Sequence, residues 1–268
     1  MKIKSISSET NSSLKLIRSL HRRQAREKER LFLLEGAHCL IEACKKNLAL
    51  KVIVASQNYL EQGMEEIRQL DIDEISVVED QVFSELATTT SSCGILAVAE
   101  MPRQKQTDIS LWSPSVIAVA DGIQDPGNLG TLIRTSYAAC VGGLVLLKGT
   151  VDCFNPKVVR ATAGALFDLP ILADIEAGEL TAQLKKAGIK LVICEANAEK
   201  FYFEADLKEK VALVLGNEGQ GVNETLKAAA DESISIPMNP DCESLNVAIS
   251  GGIILFEAQR QRLAVSNR

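Results

Sequence analysis

Leu213-Val-Leu-Gly-Asn-Glu-Gly-Gln-Gly-Val222 is an apolar run of strand length that passes directly into a turn with three glycines and one carboxylate. A run apolar at every position is buried on both faces, which is how a strand of a covered parallel sheet reads. Gly216, Gly219 and Gly221 let the backbone approach a ligand closely or take positive φ, with Glu218 held among them. The order G-x-x-G-x-G is not the G-x-G-x-x-G of dinucleotide sites, and there is no Walker lysine. A carboxylate here repels phosphate and favours a cation or a hydroxyl donor. Taken alone, the segment could equally be a tight turn with a capping Glu.

Two other segments break the ordinary pattern in the same way. Asp121-Gly-Ile-Gln-Asp-Pro-Gly-Asn-Leu-Gly-Thr-Leu-Ile-Arg134 follows the apolar run Val116–Ala120. Asn128 reads as the N-cap of a helix whose buried stripe is Leu129, Leu132, Ile133 and Cys140. Gly130, Arg134 and Ala138 recur every four residues on a different face, an arginine between residues too small to block a ligand or a second chain. In Ile234-Ser-Ile-Pro-Met-Asn-Pro-Asp-Cys-Glu-Ser-Leu-Asn-Val-Ala-Ile-Ser250 a strand stops at Pro237, turns through Pro240 and starts a helix near Ser244. Ser244 and Asn246 both donate and accept hydrogen bonds, and a helix start offers unpaired N–H groups. All three segments lie where a strand hands over to a helix, the edge at which open α/β sheets bind ligands.

The rest of the chain alternates in the same manner. Beyond Val116 the strand candidates are Leu144–Leu147, Ile171–Leu172, Leu191–Cys194, Ala212–Leu215 and Ser233–Ile236, separated by helical patterns that end with Leu245–Arg262. Before it, Leu31–Leu34, Lys51–Ala55, Ile75–Val78 and Ile95–Ala99 alternate with helices at Ala37–Lys46, Leu60–Leu70 and Gln81–Ala87. Such alternation specifies α/β layers. The polar stretch Pro102–Pro114 reads as a linker. The expected organisation is an α/β domain over residues 1–100, a linker over 101–115 and a second α/β domain over 116–268.

Composition narrows the function classes. At 268 residues, 46% hydrophobic and 24% charged, the chain has the make-up of a soluble globular protein with about two domains. The apolar runs are strand-length, far below the roughly 20 residues of a membrane span, and Met1–Ser8 lacks the apolar core of a secretory signal. Seven scattered cysteines with no C-x-x-C pair, and only two histidines, fit reduced thiols in a cytoplasmic protein and supply no zinc-finger spacing. No metal is expected. The net charge is −6, yet residues 1–30 hold nine Lys or Arg against three acids. That asymmetry suits either a basic arm meeting phosphates on an acidic body or a solvated helix face, because Leu14, Ile17 and Leu20 recur at helical spacing within Asn11–Arg23.

The segments N-L-G-T-L-I-R, L-V-L-G-N-E-G-Q-G-V and I-P-M followed by E-S-L-N-V-A-I-S, in this order, resemble the three motifs of the SpoU/TrmH family of RNA 2′-O-ribose methyltransferases, within the SPOUT class. The likeness covers about residues 116–262, and Phe32-Leu-Leu-Glu-Gly-Ala-His38 is similar to the substrate-binding domain that often precedes it. The resemblance implies a C-terminal SPOUT-type parallel sheet with a deep trefoil knot, S-adenosylmethionine as methyl donor and a ribose hydroxyl of structured RNA as acceptor, rRNA favoured over tRNA. It implies cofactor contacts at Gly216, Ile236, Met238 and Leu245, and a reaction site of Asn128, Arg134, Glu218, Ser244 and Asn246. Arg134 is then the candidate for activating the hydroxyl, although a guanidinium gives up a proton very reluctantly and is better suited to stabilising an alkoxide. The resemblance also implies a homodimer with the site at a two-fold interface, in keeping with a C-terminal helix apolar around most of its circumference.

Two other classes are open to these residues. A nicotinamide-dependent dehydrogenase would need the missing G-x-G-x-x-G fingerprint. A noncatalytic RNA-binding module would not need Arg134, Glu218 and Asn246 together.

Overall fold

A computed structural model describes residues 1–8, 10–68, 70–88, 93–102, 109, 112 and 116–266. Its first elements are β1 (Lys2–Ser5), α1 (Ser12–Leu20), α2 (Arg23–Glu29), β2 (Leu31–Glu35), α3 (Ala37–Lys45), β3 (Leu50–Ser56), α4 (Gln57–Gln62), β4 (Glu74–Val78), α5 (Asp80–Leu86) and β5 (Ile95–Glu100). Then follow β6 (Val116–Ala120), α6 (Pro126–Ala138), β7 (Gly143–Leu147), α7 (Pro156–Ala161), β8 (Ile171–Ile175), α8 (Ala177–Ala187), β9 (Lys190–Cys194), β10 (Lys200–Phe201), β11 (Val211–Leu215), α9 (Glu224–Ala229), β12 (Glu232–Ser235) and α10 (Val247–Ser266).

The chain packs as two compact units. One comprises Met1–Arg103 with Asp152–Phe167, the other Gln104–Val151 with Asp168–Arg268. The sequence expectation divided the chain once, near residue 100. By packing, the segment 152–167 goes with the first unit, because Phe154 and Phe167 place their rings 5.1 and 6.3 Å from that of Phe32.

The first unit has a five-stranded sheet in the order β1-β4-β3-β5-β2. Strands β1 and β3 run parallel to β4, whereas β5 is antiparallel to both β3 and β2. Leu14, Ile17 and Leu20 of α1 are fully buried against Leu33, Val54, Phe83 and Val98. Helix α4 spans six residues and is capped by Gly63, earlier than the expected helix Leu60–Leu70; a Cβ at Gly63 would stand 2.4 Å from the Tyr59 ring. Within Phe32-Leu-Leu-Glu-Gly-Ala-His38, the buried Glu35 carboxylate accepts from both the backbone N–H and the hydroxyl of Thr88.

These facts revise the basic arm. Its start is a paired strand and its centre a core helix. Arg26 is buried, donating through Nε (3.0 Å) and Nη2 (2.6 Å) to Asp152 and through Nη1 to the carbonyls of Leu20 and His21. Arg18 pairs with Glu85 and Arg23 with Glu27 at the surface. The other exposed basic side chains on α1, α2 and their flanks are Lys15, Arg22, Arg30 and Lys28, the last 4.0 Å from the Glu29 carboxylate. Arg26→Ala strands Asp152 in a largely buried position. It is expected to lower unfolding free energy by about 3–5 kcal/mol, the usual cost of breaking a buried pair on one side. A urea midpoint equal to the parent's would show that solvent replaces the guanidinium.

The second unit has a seven-stranded sheet, β10-β12-β9-β11-β6-β7-β8, with every pair parallel. Strands β6, β7 and β11 are buried at every residue, as their unbroken apolar runs require. Most of the expected linker lies outside the described residues, but Ile109 and Trp112 are buried in this unit's core. The Trp112 indole occupies the space above Gly143, where a Cβ would fall 2.2 Å from the ring. Helix α10 packs on α6 and β11 at Gly251, whose missing Cβ would lie 2.8 Å from Leu132 and from Leu215.

Candidate active site

The ends of four neighbouring strands set the site. Leu215 of β11 is in register with Ala120 of β6 on one side and Cys194 of β9 on the other, and Cys194 is in register with Ile234 of β12. The three motif segments therefore leave the sheet at one edge, although the first precedes the other two by about eighty residues or more in sequence. A cavity of about 500 Å³ opens there, in the size range of small-molecule sites.

Each motif segment departs locally from expectation in a way that serves this edge. The N-cap of α6 is Asp125, whose Oδ1 accepts the Asn128 N–H at 2.8 Å, with Pro126 at the first helical position. Asn128 is therefore inside the first turn and its carboxamide is not spent on capping. Its Nδ2 donates to Glu218 Oε1 at 2.7 Å, and its Oδ1 accepts from Asn246 Nδ2 at 2.8 Å. Helix α10 begins at Val247 and not near Ser244, because Asn246 Oδ1 accepts the Ala248 N–H at 2.9 Å. Capping thus explains Asn246, and Ser244 stands before the helix with its carbonyl 3.4 Å from Cys242 Sγ. The result is a chain of side chains, Asn246 to Asn128 to Glu218, joining all three motifs.

The glycines of the third strand end differ in purpose. At Gly216 a Cβ would lie 2.5–2.7 Å from the Gly221 and Val222 backbone, so the turn closes on itself there, and Gly221 takes φ +70°. Gly219 has neither constraint. The acceptance of the turn by the sheet also depends on Asp121, buried beneath it, whose Oδ2 takes the Asn223 N–H at 2.6 Å; burial holds this carboxyl above its ordinary pKa.

Gly216, Ile236, Met238 and Leu245 line the cavity, as do Glu218, Ser244 and Asn246. Asn128 stands at its rim through the two bonds just described. Arg134 does not join them. It is exposed on α6, with no ion pair or hydrogen bond among the described residues. Sequence reading missed Glu195, which lines the cavity at the end of β9 and is paired with Lys227 at 3.4 Å. Nothing in its flanking residues signals a site; only the strand order places it between β12 and β11. Cys194 beside it also lines the cavity, and desolvation pushes its thiol up to about 12.

The donor set fits S-adenosylmethionine. Leu215, Ile236, Met238 and Leu245 give apolar surface for a base. Two carboxylates, Glu195 and Glu218, and no Lys or Arg among the described residues, line the cavity, which favours a cationic ligand over a phosphorylated one.

Residues 115–256 match the SpoU rRNA Methylase family and residues 11–97 the MRM3-like substrate binding domain. The chain is 32% identical to the 23S rRNA (guanosine(2553)-2′-O)-methyltransferase RlmP of Bacillus subtilis, over 95% of this chain and 98% of that one. An AdoMet-bound rRNA methyltransferase from Sinorhizobium meliloti superposes with TM-score 0.82 at 31% identity, covering 96% of this chain and 98% of that one. The A. aeolicus TrmH/SpoU tRNA modifying enzyme matches only 57% of this chain and 77% of its own, with TM-score 0.51 and 30% identity.

Proposed function

The chain belongs to the SpoU rRNA methylase family, whose RNA 2′-O-ribose methyltransferases use S-adenosylmethionine, and from that premise we propose that it methylates a ribose 2′-hydroxyl of rRNA in the cytoplasm. The dehydrogenase reading falls with the family assignment. The observation that carries the proposal is the Asn246–Asn128–Glu218 chain at the mouth of a cavity lined, among the described residues, by no Lys or Arg. The preference for rRNA follows from extent of match. Both RlmP and the Sinorhizobium meliloti rRNA methyltransferase align with at least 95% of this chain, and so with both units.

In this reading the bound cofactor supplies an electrophilic methyl on a sulfonium. Gly216, Ile236, Met238 and Leu245 hold it, the first by backbone approach and the others by apolar contact. Glu218, oriented by Asn128, and Ser244 orient the acceptor hydroxyl, which places the reacting atoms in line. Arg134 stabilises the alkoxide that develops as the hydroxyl passes its proton to solvent water. The trefoil knot of the C-terminal segment belongs to the same proposal, as does a substrate-binding role for the domain preceding residue 100.

Because Arg134 does not line the cavity of its own chain, the proposal includes a C₂ homodimer in which a second chain supplies its copy. Supporting it, α10 exposes Ile249, Phe256 and Leu263 seven residues apart on one face, and α6, packed against α10, exposes Tyr137. Burying side chains of this size contributes about 1.5–3 kcal/mol each.

Incubating the protein with labelled S-adenosylmethionine and ribosomal RNA from cells lacking it tests the function. Label in a 2′-O-methylated nucleotide is expected; binding of RNA without transfer would favour the noncatalytic module. The revised basic surface gives a second test. Deleting residues 1–30 would remove core side chains, so the charges are changed in place. Lys15, Arg22, Lys28 and Arg30 converted together to Gln are expected to weaken RNA binding and to flatten its salt dependence, by about 0.7–0.9 in log–log slope per lost phosphate contact. A slope equal to the parent's would return these residues to a solvated helix face.

A further inference from the structure

The turn that carries Glu218 is not shaped by its glycines alone. Asn217 Oδ1 accepts the N–H groups of Gly219 at 2.8 Å and Gln220 at 2.9 Å, and Asn217 Nδ2 donates to the Gly122 carbonyl at 2.6 Å. Its backbone exchanges a pair of hydrogen bonds with Gly221, 2.9 and 3.0 Å long. A carboxamide oxygen has two acceptor sites, and both are taken by the turn. Asn217 is therefore committed to the protein through its oxygen and one of its two Nδ2 hydrogens, although it lines the cavity. The other end of the turn is fastened by Asp121, which takes the Asn223 N–H. Both fastenings run to residues 121–122, just ahead of the helix that presents Asn128. The Glu218 side chain, which lies between them, contributes nothing to holding the turn and bonds to Asn128 instead.

We propose that Asn217 is the positioning residue of this site: it sets the glycine-rich turn against the Gly122 carbonyl so that the Glu218 carboxylate meets Asn128. The proposal rests on the methyl-transfer reading, and it differs from a ligand contact because the carboxamide's acceptor capacity is already used. Glycine makes the turn possible; Asn217 selects one of its shapes.

The test uses the full chain. Asn217→Ala is expected to lower kcat about 30-fold while the dissociation constant for S-adenosylmethionine changes less than about 3-fold, since it loosens the carboxylate more than the cavity wall. Asn217→Ser, whose hydroxyl can accept from an N–H two residues on, is expected to recover part of the loss. In a Glu218→Gln background, adding Asn217→Ala should cost less than about 3-fold more, because a residue acting through another is non-additive with it. Amide hydrogen exchange gives a readout independent of turnover: Gly219 and Gln220 should exchange faster in Asn217→Ala and unchanged in Glu218→Gln. Parental kcat in Asn217→Ala, or the full 30-fold loss repeated in the Glu218→Gln background, would overturn the proposal. Absence of methyl transfer by the parent protein would sink the functional reading instead, and exchange at Gly219 and Gln220 would still decide whether Asn217 holds the turn.

Discussion

Arg134→Ala is expected to reduce methyl transfer by about 10³-fold while S-adenosylmethionine affinity stays within about 3-fold of the parent. The size follows from removing a charged donor from a developing alkoxide, where a single donor is commonly worth 10²–10³ in kcat. Affinity is spared because Arg134 does not line the cavity of its own chain. The dimer makes the experiment decisive. Arg134→Ala and Asn246→Ala protomers, each inactive alone, are mixed and allowed to exchange. If the two residues serve one site from opposite chains, half of the dimers are mixed and each has one intact site, so activity returns to about a quarter of the parent's. No recovery despite demonstrated exchange would place both residues on one chain. Sedimentation as a monomer at assay concentration would remove the dimer altogether.

Asn128→Ala is the second large effect. Its carboxamide bonds Glu218 on one side and Asn246 on the other, so the alanine leaves a carboxylate and an amide donor without their partner. Each lost bond to a charged or confined group is worth about 1–3 kcal/mol, and two of them correspond to about 10²-fold in rate or more. Asn128→Asp is expected to be at least as damaging, because it sets two carboxylates at hydrogen-bond distance. Single-turnover methyl transfer alongside calorimetric binding separates rate from affinity. A parental rate in Asn128→Ala would dissolve the three-residue chain as a functional unit.

Most of the fold was legible in the sequence for a simple reason. Strands buried on both faces must be apolar at every position, and Val116–Ala120, Leu144–Leu147 and Ala212–Leu215 are so. Helices buried on one face must repeat at 3.6 residues, and Leu129, Leu132 and Ile133 do. The elements that escaped were those lacking such a signature. Lys2–Ser5 is a fully exposed edge strand with no apolar alternation to betray it. Two-residue β10 is too short to have a period. Trp112, embedded in a polar stretch, gives no hint of the hollow above Gly143 that receives it.

The site divides along the same line. Residue types and their order within each motif were set by local chemistry, so Gly216, Glu218, Ser244 and Asn246 could be named before any coordinates. The caps were read wrongly, at Asn128 and near Ser244, because Asp125 and Asn246 are equally good cap types and residue type alone cannot choose between them. The tertiary structure decided it by bringing Glu218 to Asn128 and Asn128 to Asn246, which leaves Asp125 to cap one helix and Asn246 the other. Arg26 is the clearest case. In sequence it is one of nine positive charges, free to meet phosphate; in the fold it is buried against Asp152, 126 residues away. Charge and periodicity are properties of neighbours along the chain and stay legible there. A partner supplied by a distant segment is a property of packing, and only the folded chain determines it.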